Sequence, residues 1–490
     1  MRTSVSHPLQ IAAIGVPAGG RIGVTFCPGK VQPGSMTGGW RRDLALDLDA
    51  IATWGATAVV TLLEDHEIDA LHVPQIGAEV AARHMDWLHL PIPDVSTPDT
   101  TFEALWALAG EALRDRLRSG FDILVHCKGG LGRAGMVAAR LLAELGVAPD
   151  QAVAKVRVAR PGAIETEAQL THVLSVQILP EKAPETSLAA ARDRAIGALL
   201  GLAAGDALGT TLEFCRRDAK PRVTDLVGGG PFGLRPGEWT DDTAMALALG
   251  ESLLAEPALE AADLMHRFTD WYRTGTYSCT GRCFDIGITT RQAIARWQAS
   301  GDLMAGSADP MAAGNGSLMR LAPVAIRHWQ DRPALRETAA RQSRTTHGAA
   351  EAIEACVAFA EILADAIQGL PRSQVLRDRG PRYCGAIGPI LAGSWRGKQR
   401  CKVNASGYVA HSLEASLWSI GRTKGFGPAV ILAANLGEDA DTTAAITGQL
   451  AGAIHGAEGI PAAWRRRLAW SDRITALAGA LFDAGVEASG

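Results

Sequence analysis

The sequence predicts two domains in tandem: an α/β domain, with a parallel-type sheet flanked by helices, followed by an all-α domain. Three observations carry this. At 490 residues the chain exceeds what one hydrophobic core usually organises. Strand-like and helical patterns alternate through the first third, then helical periodicity continues alone. A polar, proline-punctuated stretch, Pro180-Glu-Lys-Ala-Pro184-Glu-Thr-Ser187, stands where the change occurs. The expected domains are 1–182 and 191–490, joined by a linker at 183–190.

Along the chain, the run Ala-Thr-Ala-Val-Val-Thr-Leu-Leu at 56–63 is continuously apolar or β-branched and reads as a strand buried on both faces. A helical pattern at 102–117 leads to a second such strand at 121–125, and further helices follow at 136–145 and near 170–179. Beyond 187 the patterns are long, alanine- and leucine-rich and helical, at 188–205, 243–255, 348–368 and 442–455, with glycine-rich turns between them.

Composition narrows the function classes. With 47% hydrophobic and 20% charged residues, both halves should bury real cores. A net charge of −4 and a pI near 6.3 provide no basic field for a nucleic-acid backbone, so bulk nucleic-acid binding is not expected. Eight sparse cysteines, of which Cys279 and Cys283 come nearest to ligand spacing, fit a reducing cytoplasm better than a disulfide scaffold or a zinc ribbon. Residues 1–16 lack the apolar core and cleavage site of a secretory signal, and no uninterrupted apolar run approaches the ~20 residues that span a bilayer. A soluble cytoplasmic protein with no membrane partner is the expectation.

The first chemical motif is Val125-His126-Cys127-Lys128-Gly129-Gly130-Leu131-Gly132-Arg133-Ala134-Gly135, a strand, a glycine-rich loop and a helix start in succession. Residues 128–132 of such a loop can turn their N–H groups around a tetrahedral anion, and the helix N-terminus adds positive potential. Cys127 stands where those dipoles and Arg133 favour a nucleophilic thiolate, and the planar fork of Arg133 can grip two phosphate oxygens.

This motif resembles the signature of cysteine-dependent phosphatases of the kinase-associated, dual-specificity type, over roughly the first 180 residues. The resemblance implies a phosphorylated substrate and a phosphocysteine intermediate. It makes Asp94, in Leu90-Pro-Ile-Pro-Asp94-Val-Ser-Thr-Pro-Asp99, the acid that protonates the leaving oxygen, with Asp99 as fallback. A partly desolvated, proline-stiffened loop would help Asp94 hold its proton. In Arg160-Pro-Gly-Ala-Ile-Glu-Thr-Glu-Ala-Gln169 the resemblance makes Gln169 the residue that orients the hydrolytic water, where otherwise it would be a surface glutamine. Ala134 stands where the family usually carries Ser or Thr, and losing a hydroxyl beside the departing thiolate implies slow turnover.

The second half carries Trp239-Thr240-Asp241-Asp242-Thr243 and Glu438-Asp439-Ala-Asp441-Thr442, each ahead of an apolar helix. Either alone is explained by N-capping. Two together supply an all-oxygen set suited to Mg²⁺ or Mn²⁺ rather than zinc, provided the fold unites segments about 200 residues apart.

With Gly205-Asp206-Ala-Leu-Gly209, Glu213-Phe214, Phe284-Asp285-Ile-Gly287, Gly314-Asn315-Gly316-Ser317-Leu-Met-Arg320 and Thr346-His347 in the same order, the region from about Arg192 onward resembles the ADP-ribosylglycohydrolase family. That resemblance implies two metal ions on Thr240, Asp241, Asp242, Asp439, Asp441 and Thr442, and an ADP-ribosylated protein or small ADP-ribosyl conjugate as substrate, with ADP-ribosyl-arginine first. Glu213 and then Asp285 are the acid/base candidates beside an oxocarbenium-like state. Asn315, Gly316 and Ser317 are expected to line the ADP-ribose pocket and His347 to touch substrate, a structural place at a helix start being the alternative for His347. Ile288 stands where bacterial relatives often carry Asn, which bears on the arginine linkage. Two further readings stay open: binding modules that do not turn over, and sequential removal of ADP-ribose and then phosphate from one substrate.

Overall fold

A computed structural model describes residues 1–17, 19–34, 38–383 and 385–488. Contacts divide the chain into two compact units, the first made of Met1–Lys182 with Arg396–Arg400 and the second of the remainder.

The first unit is built on a five-stranded sheet of β1 (Ala12–Gly15), β2 (Arg21–Phe26), β5 (Ala56–Thr61), β6 (Asp86–His89) and β7 (Asp122–Cys127), in the order β1-β2-β7-β5-β6. A small separate ladder pairs β3 (Val31–Gln32) with β4 (Trp40–Arg41). Three of the four pairings in the main sheet are parallel, while β1 runs antiparallel to β2 because their link is too short for a crossover. The sheet is therefore mixed at one edge.

Helices α1 (Leu44–Trp54), α2 (Asp65–Ala70) and α3 (Ile76–Ala82) cover one face, around Leu48, Ile51, Val59, Val80 and Leu124. Helices α4 (Thr100–Arg118), α5 (Gly132–Glu144), α6 (Pro149–Ala159) and α7 (Glu167–Leu174) cover the other, around Val60, Trp106, Val125, Val137 and Val156. Because the side chains of adjacent strand residues point to opposite faces, β5 is buried throughout, as its unbroken apolar pattern predicts. The helix expected near 170–179 stops at Leu174, where Ser175 caps it and an irregular segment begins.

The second unit is helical: α8 (Leu188–Gly209), α9 (Asp241–Ala255), α10 (Ala261–Thr274), α11 (Ile288–Ser300), α12 (Ala322–Arg327), α13 (Arg332–Thr346) and α14 (Ala350–Gln368) come first. Short α15 (Arg372–Val375) and α16 (Ile387–Leu391) lead to α17 (Val409–Arg422), α18 (Phe426–Ala434), α19 (Ala440–His455), α20 (Ala462–Arg467) and α21 (Ser471–Glu487). Its β structure among the described residues is confined to isolated bridges.

The segment Leu188–Leu212 is long and apolar enough to cross a membrane by length and composition, although Arg192, Asp193, Arg194 and Asp206 interrupt its apolar run, and 94% of its apolar window is buried inside the protein. It is hydrophobic all round because it is the central helix of this unit. Its closest neighbour is α19, and the two backbones nearly touch. A Cβ on Gly201 would lie 2.2 Å from the Gly448 carbonyl oxygen, and one on Gly205 2.1 Å from that of Ala444. Glycines at 197, 201, 205 and 209 recur every four residues and so form one stripe along α8, which lets the helix meet α19 without side chains between them. That approach brings the two carboxylate-bearing helix starts together.

Two candidate active sites

In the first unit β7 delivers Cys127 to the head of α5 through Lys128, Gly129, Gly130 and Leu131. Gly130 has φ +68, and a Cβ there would sit 2.4 Å from the Thr25 backbone, so only glycine fits. The Gly130 N–H donates to Cys127 Sγ at 3.2 Å. Arg160 holds the loop from outside, donating Nε to the Gly130 carbonyl at 3.0 Å and Nη2 to that of Gly129 at 3.2 Å. The Lys128 carbonyl accepts from Lys30 Nζ at 3.2 Å. With these carbonyls held from outside, the Gly130 N–H is left to face the thiol, as an anion cradle requires.

Arg133, in the first turn of α5, is buried. Its Nη1 and Nη2 donate to Glu67 Oε2 and Oε1 at 2.5 and 2.8 Å, and Nη1 also donates to the Ile92 carbonyl at 2.9 Å. Burial pushes the Glu67 carboxyl up, but Arg133 outweighs it and holds the group below its ordinary value. The fork is thus bound edge-on by Glu67, a buried pair whose disruption typically costs about 3–5 kcal/mol.

Asp94 reaches the same guanidinium, with Oδ1 2.9 Å from Nη2. The expectation of a partly desolvated acid is not met: a turn with Val95 at φ +62 lifts Asp94 into solvent, and its side chain is 57% exposed. Asp99 accepts from the Phe102 N–H at 2.8 Å as the N-cap of α4, which occupies the fallback acid. Gln169 is buried rather than on the surface, bonded to the Glu165 N–H and the Ser96 carbonyl. A Cβ on Gly132 would lie 3.1 Å from its amide, so it borders the cysteine loop.

In the second unit, N-capping does not account for the two aspartate clusters. Thr240 and Asp439 occupy the N-cap positions of α9 and α19, yet neither side chain caps its own helix. Distant carboxylates cap instead. Asp206, from α8, accepts from the N–H groups of Thr240 and Thr243 at 2.8 and 3.0 Å and from both hydroxyls, at 2.8 and 2.6 Å. Glu213 accepts from the N–H groups of Ala440 and Asp441 at 2.7 and 3.3 Å. The local aspartates are thereby free to face one another.

They meet in two sets, Asp206 with Asp242 and Asp441, and Glu213 with Asp439 and Asp441, each with one oxygen per residue within 4.8 Å of the others. The Thr240 hydroxyl lies 3.2 Å from Asp242 and 3.3 Å from Asp441. Burial first, then neighbouring carboxylates, pushes Asp206, Asp285, Asp439 and Asp441 up to about 7, and Asp241, Asp242 and Glu213 well above the usual range. None of the seven pairs with Lys or Arg among the described residues. Asp242 Oδ1 is buried without a hydrogen-bond partner. Such a set is costly in water-free surroundings unless cations neutralise it, and all-oxygen donors suit a hard divalent ion. The residues present fit a metal.

Above the carboxylates opens a cavity of about 710 Å³ lined by Glu213, Asp241, Asp285, Asp439, Asp441 and Thr442 on one side and by Asn315, Gly316, Met319 and His347 on the other. Three non-glycine residues at its wall, Phe214, Asp285 and Glu438, have φ of +57, +59 and +61, strain of a kind that gathers at functional sites. Asn315 donates to Asp439 Oδ2 at 2.7 Å and to Ser412 at 2.8 Å, tying the loop to the acid cluster.

Ser317 does not line the cavity; its hydroxyl is buried, 2.9 Å from that of Ser343. His347 does, and it closes α13 as a C-cap rather than opening a helix. Ile288 and Phe214 form an exposed apolar rim, 66% and 69% accessible.

Glu67, Arg160, Lys30 and Asp206 carry these sites without having been singled out by sequence. Arg160 and Asp206 lie inside quoted motifs, which was the available signal, whereas Glu67 is 66 residues from its partner in a short helix with no motif.

The comparisons agree with the geometry. Residues 187–489 match the family model for ADP-ribosylglycohydrolase, and residues 27–173 match that for the Swiss Army Knife protein, DSP-PTPase phosphatase domain. An ADP-ribosylarginine hydrolase, Tri1, of Pseudomonas putida is 46% identical over 306 residues, covering 61% of this chain and 80% of that protein. Cyclin-dependent kinase inhibitor 3 of Rattus norvegicus is 32% identical over 136 residues, 27% of this chain and 63% of that protein. A solved structure described as an ADP-ribosylglycohydrolase-related protein complex superposes with a TM-score of 0.54 at 40% identity, over 60% of this chain and 99% of that one.

Proposed function

The chain belongs to the ADP-ribosylglycohydrolase family, and from that premise we propose that its second unit hydrolyses the glycosidic bond of ADP-ribosyl-arginine on protein, using two Mg²⁺ or Mn²⁺ ions. The chain as a whole is a bifunctional hydrolase, with a dual-specificity phosphatase domain ahead of this one.

The observation that carries the reading is the meeting of two carboxylate sets at Asp441, which lines the cavity together with Glu213 and Asp439. The preference for arginine is supported by the name of the relative that is 46% identical. Metal ions held by Thr240, Asp241, Asp242, Asp439, Asp441 and Thr442 would grip the ribose hydroxyls and polarise the attacking water. Glu213, ionised once cations neutralise the neighbouring carboxylates, takes a proton from the attacking water as the water oxygen bonds to the anomeric carbon. The C–N bond breaks, the guanidine leaves, and the proton passes to it, so the charge is conserved. Asp285 faces the same cavity as the second carboxyl able to hold that proton.

For the first unit the reading is phosphomonoester hydrolysis. Cys127 Sγ attacks phosphorus, Asp94 protonates the leaving oxygen, and water set by Gln169 releases phosphate from the phosphocysteine. Asp94 beside Arg133 and Gln169 beside Gly132 support it. Cys27, Cys127, Cys215, Cys279, Cys283 and Cys356 are free thiols, which supports work in a reducing cytoplasm.

A screen of the Mg²⁺-loaded protein against arginine-, serine- and acetyl-linked ADP-ribose tests the linkage. Release from the arginine conjugate should exceed the others at least about tenfold, a difference of about 1.4 kcal/mol in barrier. Faster release from another linkage overturns the arginine assignment, and ADP-ribose binding without release from any conjugate makes this unit a binding module.

A further inference from the structure

Arg320 is a buried cation that makes no ion pair among the described residues. Its Nε donates to Gln342 Oε1 at 2.9 Å, its Nη2 donates to the Gln342 carbonyl and to Thr346 Oγ1, each at 2.9 Å, and its guanidinium lies 4.6 Å from the Phe268 ring centroid. A guanidinium has donors only, so Thr346 Oγ1 accepts from it.

The same hydroxyl lies 2.9 Å from His347 Nδ1. Thr346 is fully buried, and its single hydroxyl hydrogen has His347 Nδ1 as its acceptor. Were Nδ1 to carry a hydrogen instead, the hydroxyl would accept twice and bury its own hydrogen without an acceptor. Nδ1 is therefore the lone-pair nitrogen, and Nε2 carries the hydrogen. A doubly protonated ring is disfavoured, since burial first and Arg320 second push His347 down to about 3.

His347 Nε2 has no hydrogen-bond partner among the described residues. It faces the two glycines of the cavity loop: a Cβ on Gly316 would lie 3.0 Å from it, and one on Gly314 3.4 Å. Both glycines and His347 line the cavity, so a side chain at either position would cover this donor.

We propose that Arg320 and Thr346 are positioning residues that fix His347 as a neutral Nε2–H donor aimed into the cavity, where it bonds an acceptor oxygen of the ADP-ribosyl group. The ligand named here rests on the glycohydrolase reading of the cavity; the relay itself does not.

Two measurements on the full-length protein test it. Side-chain ¹H–¹⁵N correlation spectra, with His347 assigned by the loss of its signals in His347→Gln, should show the Nε2–H tautomer; an Nδ1–H tautomer overturns the relay. Calorimetry with ADP-ribose and saturating Mg²⁺ should show Thr346→Val binding about tenfold more weakly, as for one lost hydrogen bond, with Thr346→Ser restored to within about twofold. The loss should appear in KM more than in kcat, as for a contact made equally in ground and transition states. Binding by Thr346→Val as tight as that of the unaltered protein overturns the proposal. If Thr346→Val fails to fold, the tautomer of the unaltered protein decides. Absence of ADP-ribose binding by the unaltered protein overturns the cavity reading, and with it the ligand, while the spectrum still reports on the relay.

Discussion

Asp242 shows how a residue's surroundings dictate its partner. Its Oδ1 is buried without a hydrogen-bond partner, and its neighbours Asp206, Asp441 and Asp241 all push its carboxyl upward. The consequence for stability has a definite sign. Asp206, Asp285, Asp439 and Asp441 rise from 3.8 to about 7 on folding, so between those values the folded protein holds protons that the unfolded chain has released. Without a cation, stability therefore falls as pH rises through that window, and the contribution of these four groups is fully lost above it. A divalent ion binds only the ionised cluster and reverses this. The thermal midpoint gained on adding Mg²⁺ or Mn²⁺ should be larger at about pH 8 than at about pH 6, as differential scanning fluorimetry can read. An equal gain at both would remove the cluster as the binding site. Cys127 and Arg133 were legible in the sequence because one short loop holds both. Glu67 was not, because the residue that fixes the arginine fork arrives from another helix through tertiary folding.

At the scale of elements, the second site exists because α8 and α19 lie almost backbone to backbone. The glycine stripe on α8 was visible in the sequence, but its counterpart, Gly448 and Gly452 on α19, gains meaning only when the two helices meet. A Cβ on Gly452 would lie 1.8 Å from the Gly197 carbonyl oxygen, so Gly452→Ala must push the helices apart. We expect a loss of about 1–3 kcal/mol in denaturant unfolding, the usual cost of overpacking. The same variant should lose most of its Mg²⁺-induced stabilisation, because α8 carries Asp206 and α19 carries Asp441. A variant as stable and as responsive to Mg²⁺ as the parent would show that the close approach does not set the site. The helical patterns read at 102–117, 188–205, 243–255, 348–368 and 442–455 matched helices to within a few residues, since apolar periodicity records which face is buried, whereas α10, α13, α17 and α21 were not read. The short strands β1, β2 and β6 escaped notice: four to six residues interrupted by glycine or polar side chains leave no strong alternation, and it is pairing within the sheet that holds them.

For the whole molecule, two chemistries share one chain, and each is assembled from segments distant in sequence. The phosphatase loop was readable as a local motif, and its supporting shell was not. The glycohydrolase site was readable only as a set of separate fragments, whose union awaited the helix packing. The measurement that tests this account most directly is reciprocal inactivation in the full-length, Mg²⁺-loaded protein, following ADP-ribose release from ADP-ribosyl-arginine protein and phosphate release from an aryl phosphate side by side. Asp441→Ala should reduce ADP-ribose release by at least about 100-fold, nearly 3 kcal/mol of barrier, while phosphate release persists, and Cys127→Ser should do the reverse. ADP-ribose release by Asp441→Ala at the parent rate would contradict the account.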